Sequence, residues 1–187
     1  MNTTVCMNTE ITPRVRESAA KVRVLVLDVD GVLTDGSLYL GDNAVEYKAF
    51  YSRDGHGMKL LMASGVQVAV ITGRRSKVVA DRMAALGITH VYQGDDQKEP
   101  VFDALIKKLS LAPEQAAYVG DDLVDLPVMR RCGLSVAVAD ADPRVGQAAM
   151  FSTRCAGGRG AVREVCELIL DAQDNLHDAL APWLGEK

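Results

Sequence analysis

The feature that most constrains this chain is an alternation. Val22 to Leu27 is a short, β-branched-rich apolar run bounded by charge, and Val66–Ile71, His90–Tyr92, Ala116–Val119 and Ser135–Val138 repeat the pattern. Continuous apolar runs of this length mark strands buried on both faces. Between them the apolar spacing becomes helical. Val79, Met83 and Leu86 share one face; Val101, Phe102, Leu105, Ile106 and Leu109 share another, with Pro100 in a first turn; Val162, Val165, Cys166, Ile169 and Leu170 form a third. Gly65, Gly87 and Gly133 each close a helical stretch before a strand, where a left-handed cap favours glycine. Strand and helix in alternation predict an α/β fold: a Rossmann-like parallel sheet with helices on both faces. One segment departs from it. Leu38 to Leu40, the turn Gly41-Asp42-Asn43, then Val45 and Tyr47 predict a β-hairpin, either a flap over the strand ends or an ordinary surface hairpin.

With 187 residues the chain is expected to form one domain. Its boundaries are drawn as a leader or short helix over 1–20, the domain over 21–173 and a C-terminal tail over 174–187, either disordered or an inter-subunit contact. Lys and Arg number 21 against 25 Asp and Glu, a net charge of −4, which lacks the basic footprint of a nucleic-acid binder. Cys6, Cys132, Cys155 and Cys166 form no Cys-x-x-Cys pair and read as free thiols of a reducing compartment. Neither a signal peptide nor a membrane span is apparent, so a cytoplasmic protein is expected.

In parallel sheets ligands bind beyond the carboxyl ends of the strands, so the residues just past each run are the candidates for function. The first runs into Asp28-Val29-Asp30-Gly31, two carboxylates that can share a hard cation or divide into nucleophile and acid/base. The second runs into Thr72-Gly73-Arg74, a hydroxyl, a bare backbone N–H and a cation suited to an oxyanion. Lys98 lies past the third, before a helix start. Gly120-Asp121-Asp122, with Asp125 beyond, lies past the fourth. Taken singly, each is an ordinary polar turn, helix cap or surface lysine. Together they deliver acids, a hydroxyl, a lysine and more acids to one edge. Like charges at ~4 Å repel by roughly 4 kcal/mol at an effective dielectric of ~20, so clustered acids need a cation. Phosphoryl transfer through an aspartyl phosphate suits the set.

These four motifs, in this order, resemble the haloacid dehalogenase superfamily of phosphatases over roughly Val22 to Gln173. The resemblance implies that Asp28 is the nucleophile and Asp30 the general acid, then base. Thr72 and Lys98 would hold the phosphoryl oxygens. Mg²⁺ would be held by Asp28, the Asp30 carbonyl and Asp121, with Asp122 and Asp125 in support. An acid at position 30 marks a phosphatase, since the superfamily's ATPases carry threonine there. Gly31 to Gly36, Tyr51-Ser52-Arg53-Asp54-Gly55-His56-Gly57, Ile71 to Arg74 and Gly157-Gly158-Arg159-Gly160 to Glu164 further resemble the 3-deoxy-D-manno-octulosonate (Kdo) 8-phosphate phosphatases. These are capless, Mg²⁺-dependent homotetramers that make Kdo for lipopolysaccharide. The same signature occurs in phosphatases of nine-carbon sugar acids.

That resemblance implies a phosphorylated sugar-acid substrate, contacted by Asp30, Gly73 and Lys98; its carboxylate makes Arg53, Lys59, Arg74 and Arg82 candidates, because guanidinium forks match carboxylates, with Arg82 alternatively a solvated helix residue. A loop over Ser52 to Gly55, with Tyr51, Arg53 and Asp54, would also lie against it. Arg159 would reach a neighbour's site or serve its Gly-rich turn. No insertion reaches the ~40 residues a self-standing cap needs, so a neighbouring subunit is expected to cover the site. Two other readings compete. A signalling receiver domain gathers similar residues but in another order, and a silent assembly module would keep the residues without turnover.

Overall fold

A computed structural model describes residues 9–42 and 45–185; part of the leader, Cys6, Asn43 of the hairpin turn and the last two residues lie outside the described residues. The core is a six-stranded, all-parallel sheet. Its strands are β1 (Val24–Leu27), β4 (Gln67–Thr72), β5 (His90–Gln93), β6 (Ala116–Gly120), β7 (Leu134–Ala137) and β8 (Phe151–Ser152), in the spatial order β5-β4-β1-β6-β7-β8. Every residue of β1 is buried, as a central strand covered on both faces requires. Leu27 pairs with Val70 of β4 on one side and Val119 of β6 on the other. The chain winds outward from β1 through β4 to β5, then crosses back to β6. The β1/β6 boundary is thus the switch point at which doubly wound sheets bind ligands.

Helices α3 (Lys77–Leu86), α4 (Lys98–Leu109) and α7 (Ala161–Ala172) carry the apolar faces expected of them, with Val79, Met83, Phe102, Leu105, Val165 and Ile169 buried, and α2 (Ser52–Ala63) packs beside α7. Shorter α5 (Leu126–Met129) and α6 (Pro143–Ala148) flank β7. Strand β8 was not expected, because two residues leave no periodic signal, yet both are buried against β7. The boundary at residue 20 falls inside α1 (Pro13–Lys21), capped by Thr12, whose Val15 and Ala19 lie wholly within the core. The segment from 174 onward is mostly helical over its described part. Helix α8 (Leu176–Leu184) rests on α2 and α7, and Trp183 meets His56 edge-on, ring centroids 5.0 Å apart.

Gly65 and Gly87 take the left-handed conformation that their positions predict. Gly133 does not; it is small because a Cβ there would lie 2.1 Å from the Glu114 carbonyl oxygen. The hairpin consists of β2 (Tyr39–Leu40) and β3 (Glu46–Tyr47), with Tyr39 opposite Tyr47. Its outer face exposes Leu38, Tyr39, Leu40, Val45 and Tyr47, while Lys48 at its base reaches the strand ends.

Candidate active site

Asp28 leaves β1 and enters a tight turn in which the N–H groups of Val32, Leu33 and Thr34 all donate to the Val29 carbonyl. Among the described residues no donor is found for the Asp30 carbonyl. Gly31 sits at φ +93°, and a Cβ there would lie 2.1 Å from Asp121 Oδ2. Glycine is thus needed both for the turn and for the approach of the β6 carboxylate. A second layer fixes the turn from behind: Gly158 N–H donates to the Val32 carbonyl, and Gly157 packs so closely on Gly31 that no side chain fits.

Asp28, Asp30, Thr72, Gly73, Arg74, Lys98, Asp121 and Asp122 converge on one open cleft of ≈ 220 Å³. Asp96 and Val124, in the segments past β5 and β6 but not singled out by the sequence, complete its lining. Asp96 is placed by Gly73, whose absent side chain leaves room for its carboxylate.

Lys98, at the start of α4, has a side chain only 3% exposed and bridges Asp28 (2.9 Å) and Asp125 (2.8 Å). Asp125 is fully engaged: Oδ1 also accepts from the Tyr118 hydroxyl (2.7 Å), and Oδ2 accepts from the Asp121 and Asp122 backbone N–H groups. Oxygens of Asp28, Asp121 and Asp125 lie within 4.8 Å of one another. Since Asp125 is consumed by its four donors, Asp28 and Asp121 are the carboxylates left to face a cation.

The electrostatics agree. Three carboxylates against one ammonium leave 3 − 1 = 2 unbalanced negative charges. Burial, reinforced by Asp28 and Asp125, pushes the Asp121 carboxyl up to about 8. Burial also raises Asp28, more than Lys98 lowers it. For Lys98, burial disfavours the charge, but Asp28 and Asp125 outweigh it and hold the ammonium above its ordinary value. Asp121 Oδ1 is buried with no hydrogen-bond partner. A divalent cation bound by oxygen would satisfy that orphaned atom and the unbalanced charge together.

Residues 84–164 match the family profile of haloacid dehalogenase-like hydrolases. A 3-deoxy-D-manno-octulosonate 8-phosphate phosphatase of Salmonella typhimurium is 54% identical over 169 residues, 90% of each chain. The chain belongs to this phosphatase family. The crystal structure of the Yersinia pestis enzyme superposes with a TM-score of 0.87 at 50% identity, covering 91% of this chain and 96% of that one. The Moraxella catarrhalis enzyme, solved with a magnesium ion, a phosphate ion and a KDO molecule, superposes with a TM-score of 0.89 at 40% identity over 90% and 97% of the two chains.

Not every residue expected to contact substrate in a phosphatase of this family reaches the cleft. Ser52 to Gly55 do not form a loop; they are the first turn of α2. Asp54 is buried, accepting from the backbone N–H groups of Gly160 (3.3 Å) and Arg163 (2.8 Å), so it braces the Gly-rich segment from inside. Gly55 makes room for the Arg82 guanidinium, which stands 5.9 Å from the Phe50 ring centroid. Lys59 is exposed on α2. Tyr51 and Arg53 line a separate and larger groove of ≈ 480 Å³ with Arg154, Arg159 and Arg163. That groove carries its own acids, Glu164, Glu167 and Asp171, and shares no residue with the cleft. Arg159 itself pairs with Asp35 at 3.5 Å.

The base of the hairpin is a part of the site that sequence reasoning missed. Lys48, with a side chain 1% exposed, donates to Asp30 Oδ1 and lies 3.5 Å from Glu46; Arg74 lies 3.6 Å from Asp30 and 3.3 Å from Glu46. No spacing signals this contact, because it depends on the hairpin folding back onto the β1 turn.

Proposed function

We propose that this protein is a Mg²⁺-dependent phosphatase that hydrolyses 3-deoxy-D-manno-octulosonate 8-phosphate to Kdo and phosphate, serving lipopolysaccharide synthesis. The Asp28–Lys98–Asp121 cluster at the sheet's switch point, beneath Asp30, carries the reading. Asp28, Asp121 and the Asp30 carbonyl would hold Mg²⁺, which offsets the charge gathered on the phosphoryl group.

The side chains supply the rest. Lys98 holds Asp28 Oδ1, leaving the other carboxylate oxygen to attack phosphorus. The bond from phosphorus to the sugar oxygen breaks, and Asp30 gives that oxygen its proton. The carboxylate of Asp30 then takes a proton from water, whose oxygen attacks phosphorus. The bond to Asp28 breaks, releasing phosphate and restoring both acids. Thr72, the Gly73 N–H and Lys98 bind the phosphoryl oxygens, and Arg74 guards the mouth.

The cleft of ≈ 220 Å³ is smaller than the ~300–1,000 Å³ usual for a ligand pocket, so it suits the phosphate and ion but not the whole sugar. We infer a homo-oligomer, a tetramer as in the family resemblance, in which the apolar hairpin tip of one subunit helps enclose the sugar in another. A cytoplasmic location fits the three free thiols among the described residues, and no described helix is long and apolar enough to cross a membrane. The test is phosphate release from Kdo 8-phosphate with and without Mg²⁺, beside a nine-carbon sugar acid phosphate and p-nitrophenyl phosphate. Mg²⁺-dependent preference for Kdo 8-phosphate is expected. Preference for the nine-carbon substrate would replace the substrate, and no release from any would overturn the reading.

A further inference from the structure

Lys48 is the least expected ion in the molecule. It sits just past β3, its side chain is 1% exposed, and its partners in the structure are the carboxylates of Asp30 and Glu46. Burying an ammonium is costly unless it is paired, and removing it strands the charges it held. Glu46 is pinned in turn from the β4 side. The Ser76 hydroxyl, with smaller contributions from Lys48 and Arg74, holds its carboxyl below the usual range, and Arg74 Nη2 reaches it at 3.3 Å. Ser76 is itself fixed, as the N-cap of α3 and through a 2.7 Å hydrogen bond from its N–H to Gln93. The base of the hairpin thus clamps the turn after β1 to the loop after β4, with Lys48 as the joint.

Asp30 needs such a joint. Asp28 is fixed by Lys98, and Asp125 by four donors. The side chain of Asp30 is 20% exposed, and its partners are Lys48 and, more distantly, the half-exposed Arg74. Without Lys48, Asp30 would lose the buried donor that ties its Oδ1 to Glu46, and only the half-exposed Arg74 would join the two. A general acid must lie within hydrogen-bond reach of the oxygen it protonates, so a small displacement is felt in rate.

We propose that Lys48 is a positioning residue for Asp30: with Glu46 it makes seating of the hairpin a condition for the acid to reach the leaving oxygen. The proposal rests on the assignment of Asp30 as general acid. It predicts a defect that depends on the leaving group. A sugar alkoxide needs a proton as it departs; p-nitrophenolate does not.

The experiment compares kcat/KM, which reports steps up to phosphoenzyme formation, for Kdo 8-phosphate and p-nitrophenyl phosphate in wild type, Lys48→Met, Lys48→Arg and Asp30→Asn. Melting curves accompany each variant. Lys48→Met is expected to lose about 10- to 100-fold on the sugar phosphate, part of the ~10²–10⁴ that acid–base catalysis supplies, and less than about 3-fold on the aryl phosphate. Lys48→Arg is expected to recover most of the loss. Equal loss on both substrates, or no loss on either, would overturn the positioning role. Asp30→Asn separates the two layers. If it shows no dependence on leaving group, the acid assignment itself falls; if it does while Lys48→Met does not, only the role of Lys48 falls. Should Lys48→Met fail to fold, Lys48→Gln, similar in length and still a donor, makes the same comparison.

Discussion

The cleft has two walls built on different principles. The Asp28 wall stands on the sheet: β1 and β6 are neighbours, Lys98 enters from α4, and Asp125 and Tyr118 hold the arrangement from below. Its side chains are almost wholly buried, so their charges act at low dielectric and move little. The Asp30 wall is held from above by a two-stranded hairpin whose other face is apolar and exposed. In the proposed mechanism the first wall would carry the phosphoryl chemistry and the second the proton transfer. Chemistry common to all phosphate esters would then reside in the sheet, and the part that must respond to a particular leaving group would be held by the hairpin.

The largest effect should come from breaking the sheet wall. Asp28→Asn removes the proposed nucleophile and is expected to abolish turnover of every phosphate ester, with protein still folded by far-UV circular dichroism. Measurable Mg²⁺-dependent turnover in that variant would contradict the aspartyl phosphate. Asp30→Asn, on the other wall, should cost ~10²–10⁴-fold in kcat/KM for the sugar phosphate, and activity equal to wild type would remove its role. Asp125→Ala strikes the support beneath the sheet wall. Removing one partner of a buried pair costs about 3–5 kcal/mol, so its unfolding midpoint should fall well below that of either cleft variant. A midpoint within experimental error of wild type would show that the four hydrogen bonds to Asp125 are dispensable.

The sheet wall should also respond to pH in the absence of metal. Asp121, at about 8, and Asp28, raised as well, bind protons more tightly folded than unfolded. Below the unfolded carboxyl value, about 4, both states are protonated and nothing is lost. As pH rises toward and past about 8, the folded state must carry charges that the unfolded chain carries freely, and stability drops. Mg²⁺ restores what is lost. Melting temperatures in EDTA should therefore fall between pH 5.5 and 8.5, and the gain from Mg²⁺ should be larger at pH 8.5. An equal gain at both would mean that Asp121 is not at the ion.

The same division explains what the sequence discloses. The Asp28 wall is legible because a doubly buried strand must be a continuous apolar run, so Val24 to Leu27 points at Asp28, and Ala116 to Val119 at Asp121. The α/β alternation then fixes which edge they share. Contacts that bridge distant loops leave no such trace. Asp54 sits among polar residues and looks exposed, yet its carboxylate is spent on Gly160 and Arg163, more than a hundred residues away. Gly133 looks like a helix cap, yet it is small because the Glu114 backbone passes behind it. Lys48 falls in the same class: its partner Asp30 is eighteen residues away, across a hairpin whose seating no periodicity encodes.

The smallest effect on the isolated subunit is expected at the tip of the hairpin, and it is the sharpest probe of the division. Leu40 is 71% exposed, so Leu40→Lys touches no core contact and should change stability by less than about 0.5 kcal/mol. Within one subunit it reaches neither Asp28 nor Asp30. If the apolar tip is buried by a second copy, a lysine there strands a charge in that contact, and light scattering should show smaller assemblies. Hydrolysis of p-nitrophenyl phosphate should persist, since Asp28, Lys98 and Asp121 belong to one chain, while kcat/KM for Kdo 8-phosphate should fall. Loss of both activities together would mean that the sheet wall depends on assembly as well. Unchanged assembly and unchanged selectivity would leave the tip an ordinary surface and confine the hairpin's part in the reaction to Glu46 and Lys48 at its base.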